Sequence, residues 1–397
     1  MATNYANITN TARNNKSKSC SYLSSSVLFV GFALFAAFPF PLPAQAGSVT
    51  TPAGRLEGPV ALAGGNLTAA GKPVAWEDVL VAVAEASDAR PAGEAIYLDT
   101  GEVWGGQVTK LAAGRITIAS PLLGAREVDL AAVRSIDFAP DLPVPEAQND
   151  GVLYRLKGNP VRGALVSLEG QKISVETALG PVPLDRGTVK RYVFAGAPRK
   201  AAPTGDEVTL TDGSVLMGKL APTGAGLTLK HPVLGDVNIA ANQWRSLRRR
   251  TEKVTYLAEQ TPDKVETFPL IRLAANPPAM ERARTQAPGT PAPGYVSRIR
   301  IWPHTIVRYS LPGEAGQKVS FRAQVSLAEG SRGALAVRVK VGEKVAFEAV
   351  LDPKDPKPAA VAFEADAGGV LTLEVDFDKT IRFPCSVTVD DPLVLRK

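Results

Sequence analysis

One pattern constrains this chain more than any other: a glycine-marked hairpin that recurs three times. Turn glycines stand at Gly101, Gly158 and Gly213, and a second glycine follows each by five residues, at Gly106, Gly163 and Gly218. An alternating apolar run comes next ("RITIA", "KISVE", "LTLKH"), and then a Leu-Gly pair at Leu123-Gly124, Leu179-Gly180 and Leu234-Gly235. Nine residues beyond each of those glycines lies an apolar position, Val133, Val189 or Trp244. A basic residue follows it (Arg134, Lys190, Arg245), and Ile136, Tyr192 or Leu247 comes three residues after it. The copies are 57 and 55 residues apart, counted from 101 to 158 and from 158 to 213. A fixed period of this length marks a repeat architecture.

The chemistry of one copy predicts four or five short strands. The first glycine supplies a turn where positive φ is tolerated. The second marks a bend or bulge in the following strand. The Leu-Gly pair of "SPLLGAREVDL" and "HPVLGDVNIAA", with Gly124, Gly180 and Gly235, forms the next hairpin turn. Such a unit makes a small bent sheet or partly closed barrel. It buries little surface alone, so stacking on its neighbours is expected. The boundaries are 93–140, 150–196 and 205–250. A degenerate fourth copy, or a linker, occupies 47–92, where "GRLEGPVALAGGNLTAAGKPVAWEDVLVAV" has a similar order with about six residues deleted.

Helical periodicity is scarce. Short runs such as "ALAVRVKV" and "VLTLEVDF" alternate with period two, as strands with one buried face do. The best helix candidate is 76–86, "WEDVLVAVAEA", whose continuous apolar stretch is equally consistent with a buried strand. The fold class is therefore all-β: three or four small β-repeat units followed by a C-terminal β-sandwich. Pro/Ala-rich stretches at 139–150 and 195–207 read as connectors, and 274–294 reads as a long surface loop.

Residues 1–46 are expected to be removed by cleavage after Ala46, with an uncleaved N-terminal anchor as the alternative reading. Arg13, Lys16 and Lys18 form a basic region, 27–40 is an apolar run, and Ala44-Gln45-Ala46 precedes Gly47. This is the layout of a signal peptide. The run is shorter than the roughly 20 residues of a spanning helix, and no later run reaches that length, so no transmembrane span is expected after cleavage. The protein is expected to be secreted, or periplasmic within the cell envelope. Removing 1–46 lowers the net charge from +6 by three to +3, which gives a nucleic-acid partner no support. Cys385 is the one cysteine left, so no intramolecular disulfide is expected.

Catalytic and metal chemistry find little footing. The histidines are His231 and His304, and with one cysteine they fit no zinc spacing. His231 reads as a turn residue before Pro-Val-Leu-Gly. Glu374, Asp376 and Asp378 alternate along one strand, so a solvated face is preferred to a calcium site. No nucleophile elbow and no phosphate-cradling glycine loop are present. No enzyme activity, metal or cofactor is expected, although a pair of hydrolytic carboxylates among 39 acids is not something sequence singles out. The basic run "RSLRRR" at 245–250 reads as a solvated strand end, with an anionic partner as the alternative. Trp302, Tyr309 and Tyr295 gather around His304 and Arg308 in the sequence. Alternation would put Trp302, His304 and Ile306 on one face. Ring faces of this kind stack on pyranose C–H faces, while core packing is the competing reading for each ring.

Residues 253–397 also resemble a known family. "VTYLAEQTPDKVE" (254–266) is similar to the opening strand of the NPCBM carbohydrate-binding modules, found beside family-98 glycoside hydrolases. The resemblance continues through "SRIRIWPHTIVRYSLP" (297–312), "QKVSFRAQVSLAEGSRGALAVRVKVGEKVAFEAVL" (317–351), "AVAFEADAGGVLTLEVDFD" (360–378) and "VDDPLVL" (389–395). It departs where Trp302-Pro303 replaces a glycine before the histidine, and where "RFPCSVTVDDPLVL" lacks a His and a Trp. The resemblance implies a β-sandwich and a carbohydrate partner. It carries over His304, Tyr309 and Asp391 as family positions, which join Trp302 and Arg308 as candidate ligand contacts. The repeats resemble short β-repeats beside such modules in exported bacterial proteins. The expected role is non-catalytic sugar binding. The alternatives are a structural or protein-binding part of the bacterial envelope and an unrecognised polysaccharide hydrolase.

Overall fold

The computed structural model describes residues 47–84, 91–139, 151–196, 205–268, 279–284, 297–314 and 316–397. The expected signal peptide, Cys20, Tyr295 and most of the three proline-rich connectors lie outside the described residues. The fold is all-β: antiparallel sheets with four short 3-10 turns among the described residues.

The repeated sequence pattern becomes a repeated strand order. In repeat 1, Ala95–Leu98 turns at Gly101 into Val103–Gly105 and Gln107–Ala112. Arg115–Ser120, Gly124–Asp129, a 3-10 turn at Leu130–Ala132 and Val133–Asp137 complete it. The first strand pairs with the last, Ile96 opposite Ile136. Repeat 2 pairs Leu153 with Tyr192 in the same way, and repeat 3 pairs Val208 with Leu247. The leading stretch has the same order in shorter strands, from Ser48–Thr51 to Val81–Val83, with Val49 opposite Ala82. Its apolar stretch is a 3-10 turn at Trp76–Asp78 followed by the strand Val81–Val83, so no helix forms over the described part of 76–86. Val81, Ala82 and Val83 are all buried, which explains the lack of alternation.

The glycines have separate jobs. Gly101, Gly158 and Gly213 sit at φ of 90°, 91° and 84°, a left-handed turn conformation. At Gly106, Gly163 and Gly218 the reason is space. A Cβ there would run into the carbonyl oxygen of Ala119, Glu176 or Lys230 on the neighbouring strand, so a bent strand can press against its partner only with no side chain.

The units then join edge to edge. The last strands of repeats 1 and 2 pair antiparallel, Ile136 opposite Tyr192, and Leu111 pairs with Leu168. The last strands of repeat 3 and the leading unit do the same, Leu247 opposite Ala82. Val103 opposite Val215 links the two pairs. One apolar cluster runs through all four units, with Trp104, Ile96, Ile118, Leu153, Tyr192 and Trp244 among its buried members.

The C-terminal part is a two-sheet sandwich. One sheet orders Met280–Arg284, Ser297–Ile301, Val387–Arg396, Lys318–Leu327 and Ala359–Asp366, with Val254–Tyr256 on the end of Val387–Arg396. The other orders Lys264–Thr267, Thr305–Ser310, Val370–Phe377, Leu335–Val341 and Lys344–Leu351. Phe321, Val337, Leu371 and Leu373 fill the space between them. A third apolar cluster joins the sandwich to the leading unit: Leu80, Val81 and Val83 meet Tyr256, Leu393 and Leu395. The Tyr256 hydroxyl at this seam lies 3.1 Å from the Leu80 carbonyl oxygen and 2.8 Å from that of Arg249.

The basic run 245–250 is not a solvated strand end. Arg248 is 1% exposed, and its guanidinium lies 2.6 Å from both Glu207 and Glu259 and over the Tyr256 ring. Arg250 pairs with the same two acids, and Arg249 stacks on Trp76. Desolvation opposes the charge on Arg248, yet the two carboxylates outweigh it and hold its pKa above the ordinary value. These cations are spent internally, so neither the solvated reading nor an external anionic partner fits them. His231 is not a turn residue but ends the strand Gly226–His231 just before the turn, fully buried against the edge of Trp104.

Candidate functional site

The outer face of the second sandwich sheet carries the site. Its strands alternate, apart from the buried Thr372: Val307, Leu371, Leu373, Val337 and Val339 point into the core, while Ile306, Arg308, Glu374, Arg338 and Lys340 point out. Ion pairs cross the ladder on this face. Glu374 pairs with Lys340 at 2.7 Å, Arg338 with Glu348 at 2.6 Å, and Arg308 with Glu266. The Lys264 and Arg308 partners hold the half-buried Glu266 carboxyl below its ordinary pKa.

His304 lies at the corner before Thr305–Ser310, with φ at +57°, a conformation rare for a non-glycine residue. Pro303 precedes it, and its carbonyl accepts from the Phe268 amide at 2.9 Å. The corner breaks the alternation that the sequence implied, so Trp302, His304 and Ile306 do not share a strand face. It turns the imidazole onto Asp376, with Nδ1 and Oδ1 2.8 Å apart. An ionised carboxylate only accepts, so Nδ1 carries the proton toward Asp376. Nε2 has no hydrogen-bond partner among the described residues.

A cavity of about 120 Å³ opens beside this pair, lined by Phe268, His304, Ile306, Arg338, Glu374 and Asp376, among others. Glu374 and Arg338 each commit one atom to a neighbour, Oε1 to Lys340 and Nε to Glu348, and keep further polar atoms. One apolar ring, Phe268, lines the cavity and is 57% exposed; Phe377 packs edge-on to His304 and to the exposed Phe383, and neither of these is part of the cavity wall. Acceptors, donors and an apolar ring therefore converge on one shallow hollow.

The structure does not bring all the sequence candidates together. His304 lines the cavity, and Arg308 lies two positions along the same face from Ile306. Tyr309 faces the opposite way: it is 2% exposed in the sandwich core, which removes it as a ligand contact. Trp302 is half-buried, lies under the Arg300 guanidinium at 4.9 Å from its ring, and is not part of the cavity wall. Asp391 belongs to the other sheet, 5% exposed, where Oδ1 accepts from the Ser297 amide and hydroxyl. Phe268 and Arg338 escaped the sequence reading, since nothing in linear spacing relates them. Asp376 had appeared only as part of a solvated face. No cluster of three His, Cys, Asp or Glu side chains suited to a metal occurs among the described residues.

No family profile matches this sequence, and no curated protein matches it. Among solved structures, the chain is similar to a family-51 carbohydrate-binding module of a Clostridium perfringens family-95 glycoside hydrolase, solved with methyl-galactose. That match has 15% identity and a TM-score of 0.29, and it covers 36% of this chain and 99% of that one. A second similar structure holds another such module with GlcNAc, next to INT domains of Clostridium perfringens ZmpB; there the identity is 11%, the TM-score 0.29, and the coverage 43% of this chain and 36% of that one. A third is the tandem family-51 pair of a Streptococcus pneumoniae family-98 glycoside hydrolase, at 8% identity and a TM-score of 0.29, covering 76% of this chain and 88% of that one.

Proposed function

We propose that this is an exported, non-catalytic protein of the bacterial envelope whose C-terminal sandwich binds carbohydrate in the NPCBM manner. The observation that carries the reading is the His304–Asp376 hollow with its exposed Phe268 ring. Paired carboxylate and guanidinium atoms suit vicinal hydroxyls, which donate to one and accept from the other. The ring offers a face to the sugar's C–H surface. A shallow single site of this kind implies a Kd between about micromolar and millimolar, or about −8 to −4 kcal/mol. The repeats serve as the platform that carries the sandwich.

The test is a glycan array with the full chain, followed by titration of the best hit into Asp376→Ala. Asp376 is half exposed, so its loss should leave the fold intact. Binding by the parent chain that disappears in Asp376→Ala supports the site. Undiminished binding in that variant moves the site elsewhere, and silence across the array rejects the carbohydrate reading. Turnover of a bound polysaccharide would favour a hydrolase instead.

A further inference from the structure

A second cavity lies at the seam between the leading unit and the sandwich. The ladder between Lys318–Leu327 and Val387–Arg396 slips between Arg322 and Gln324. Arg322 faces Leu393 and Gln324 faces Asp390, so Asp391 and Pro392 together stand opposite Ala323 in a β-bulge. Asp391 sits at φ of +42°, a strained conformation for a side-chain-bearing residue. Strain of this kind persists where its surroundings hold it, and it clusters at ligand sites. The bulge opens a cavity of about 120 Å³ walled by Thr50, Gly54 and Arg55 on one side and Arg322, Gln324 and Asp391 on the other.

Charge pairing at this cavity leaves one group over. Asp390 accepts from Arg298 Nε at 2.5 Å, and Asp391 Oδ2 lies 3.8 Å from Arg55 Nη1. Arg55 also pairs with Glu57 Oε1 at 2.5 Å, so three acids meet Arg55 and Arg298 here, and none of them pairs with Arg322. Arg322 is the third cation, and no described carboxylate pairs with it. Its Nε is buried without a hydrogen-bond partner among the described residues. The Arg322 side chain as a whole is half-buried, and a buried donor nitrogen left without an acceptor carries a desolvation cost. Gly54 faces its Nη1, and a Cβ there would stand 3.8 Å away, an ordinary van der Waals contact.

We propose that this seam cavity binds a small hydroxylated carboxylate, with the carboxylate on the Arg322 fork and hydroxyls reaching Thr50, Gln324 and the Asp391 carboxylate. A fork-to-carboxylate contact is the strongest use of a lone guanidinium. A cavity of roughly 150 Å³ holds a benzene-sized molecule, so a ligand of about six or seven non-hydrogen atoms fits here. The site shares no residue with the His304 hollow and stands or falls apart from it.

The test is a thermal-melt titration of the full chain with sodium glycerate, with glycerol at matched sodium chloride as the uncharged control. A saturable rise in Tm of about 3 °C or more is expected with glycerate and none with glycerol. The response should be absent in Arg322→Gln, at least tenfold weaker in Arg322→Lys, and unchanged in Asp376→Ala. The lysine variant keeps the charge without the fork, so it decides the matter even if the glutamine variant folds poorly. A flat titration of the parent chain, an equal response to glycerol, or full binding by Arg322→Lys overturns the proposal.

Discussion

Glu102 and Ser214 occupy the same place in two different repeats, and each accepts a backbone N–H from the other's strand. Glu102 follows Gly101 and takes the Met217 amide at 2.9 Å; Ser214 follows Gly213 and takes the Gly105 amide at 2.9 Å. Val103 and Val215 pair between them. Repeats 1 and 3 thus meet across a local two-fold relation written in equivalent positions. The Glu102 side adds a buried histidine. His231 Nδ1 accepts from the amides of Val233 and Leu234, which fixes the proton on Nε2, and Nε2 donates to Glu102 at 2.7 Å.

Two variants should expose the asymmetry in this exchange. Glu102→Ala strands the Met217 amide and the His231 Nε2–H in a buried contact, and is expected to cost about 2–4 kcal/mol. Ser214→Ala strands a single amide and should cost about 1 kcal/mol. Denaturant unfolding of both variants and of the double variant checks this, and the double should fall short of the sum because the two groups share one contact.

Arg248→Met is expected to destabilise by about 3–5 kcal/mol, since it takes from Glu207 and Glu259 the buried guanidinium that both pair with. Because these charges are sheltered from solvent, the loss should persist between 0.05 and 0.5 M salt, on the order of the ionic strengths that screen surface pairs. Chemical melts at the two concentrations read the outcome.

Tyr309→Phe should be neutral, or stabilising by up to about 1 kcal/mol. The hydroxyl is buried with no partner among the described residues, so removing it relieves a desolvation cost. Burial pushes its pKa up to about 12, so it stays protonated at any working pH. Unchanged sugar binding in this variant would accompany the unchanged stability.

Cys385 should resist alkylation in the folded chain and react quickly in denaturant. Burial pushes its thiol up to about 11, so at pH 8 about one thiol in a thousand is thiolate. The sign follows from that shift. The folded state favours the protonated thiol, and this preference is fully present below the unfolded value of about 8.5. It is lost as pH rises through about 11. Peptide mapping of iodoacetamide adducts at Cys385 across pH 7–11.5, roughly bracketing both values, follows the change.

The fold was largely written in glycine spacing. Positive-φ turns and contacts too close for a Cβ leave glycine as the only residue that fits, so Gly101, Gly106 and their counterparts mark the strand order directly. What joins the units was not legible, because Glu102, Ser214 and Arg248 look like ordinary surface polar residues until another repeat covers them. The candidate site was half legible. His304 stood out as a rare residue beside a strand, but its positive φ cancelled the alternation used to place Trp302. Tyr309 was misplaced because a tyrosine on a strand gives no sign of which sheet face is wet. Phe268 and Asp376 lie 108 residues apart (376 minus 268) and meet at the hollow only through the sandwich.

The Tyr256 hydroxyl, set between the carbonyls of Leu80 and Arg249, has a mechanical consequence. Its own strand is hydrogen-bonded into the sandwich, while its tip is held by main chain from the leading unit and the end of repeat 3. Tension arriving through a captured glycan would therefore pass into the whole array instead of stretching a slack tether. The sandwich is anchored like a tool head wedged into its handle.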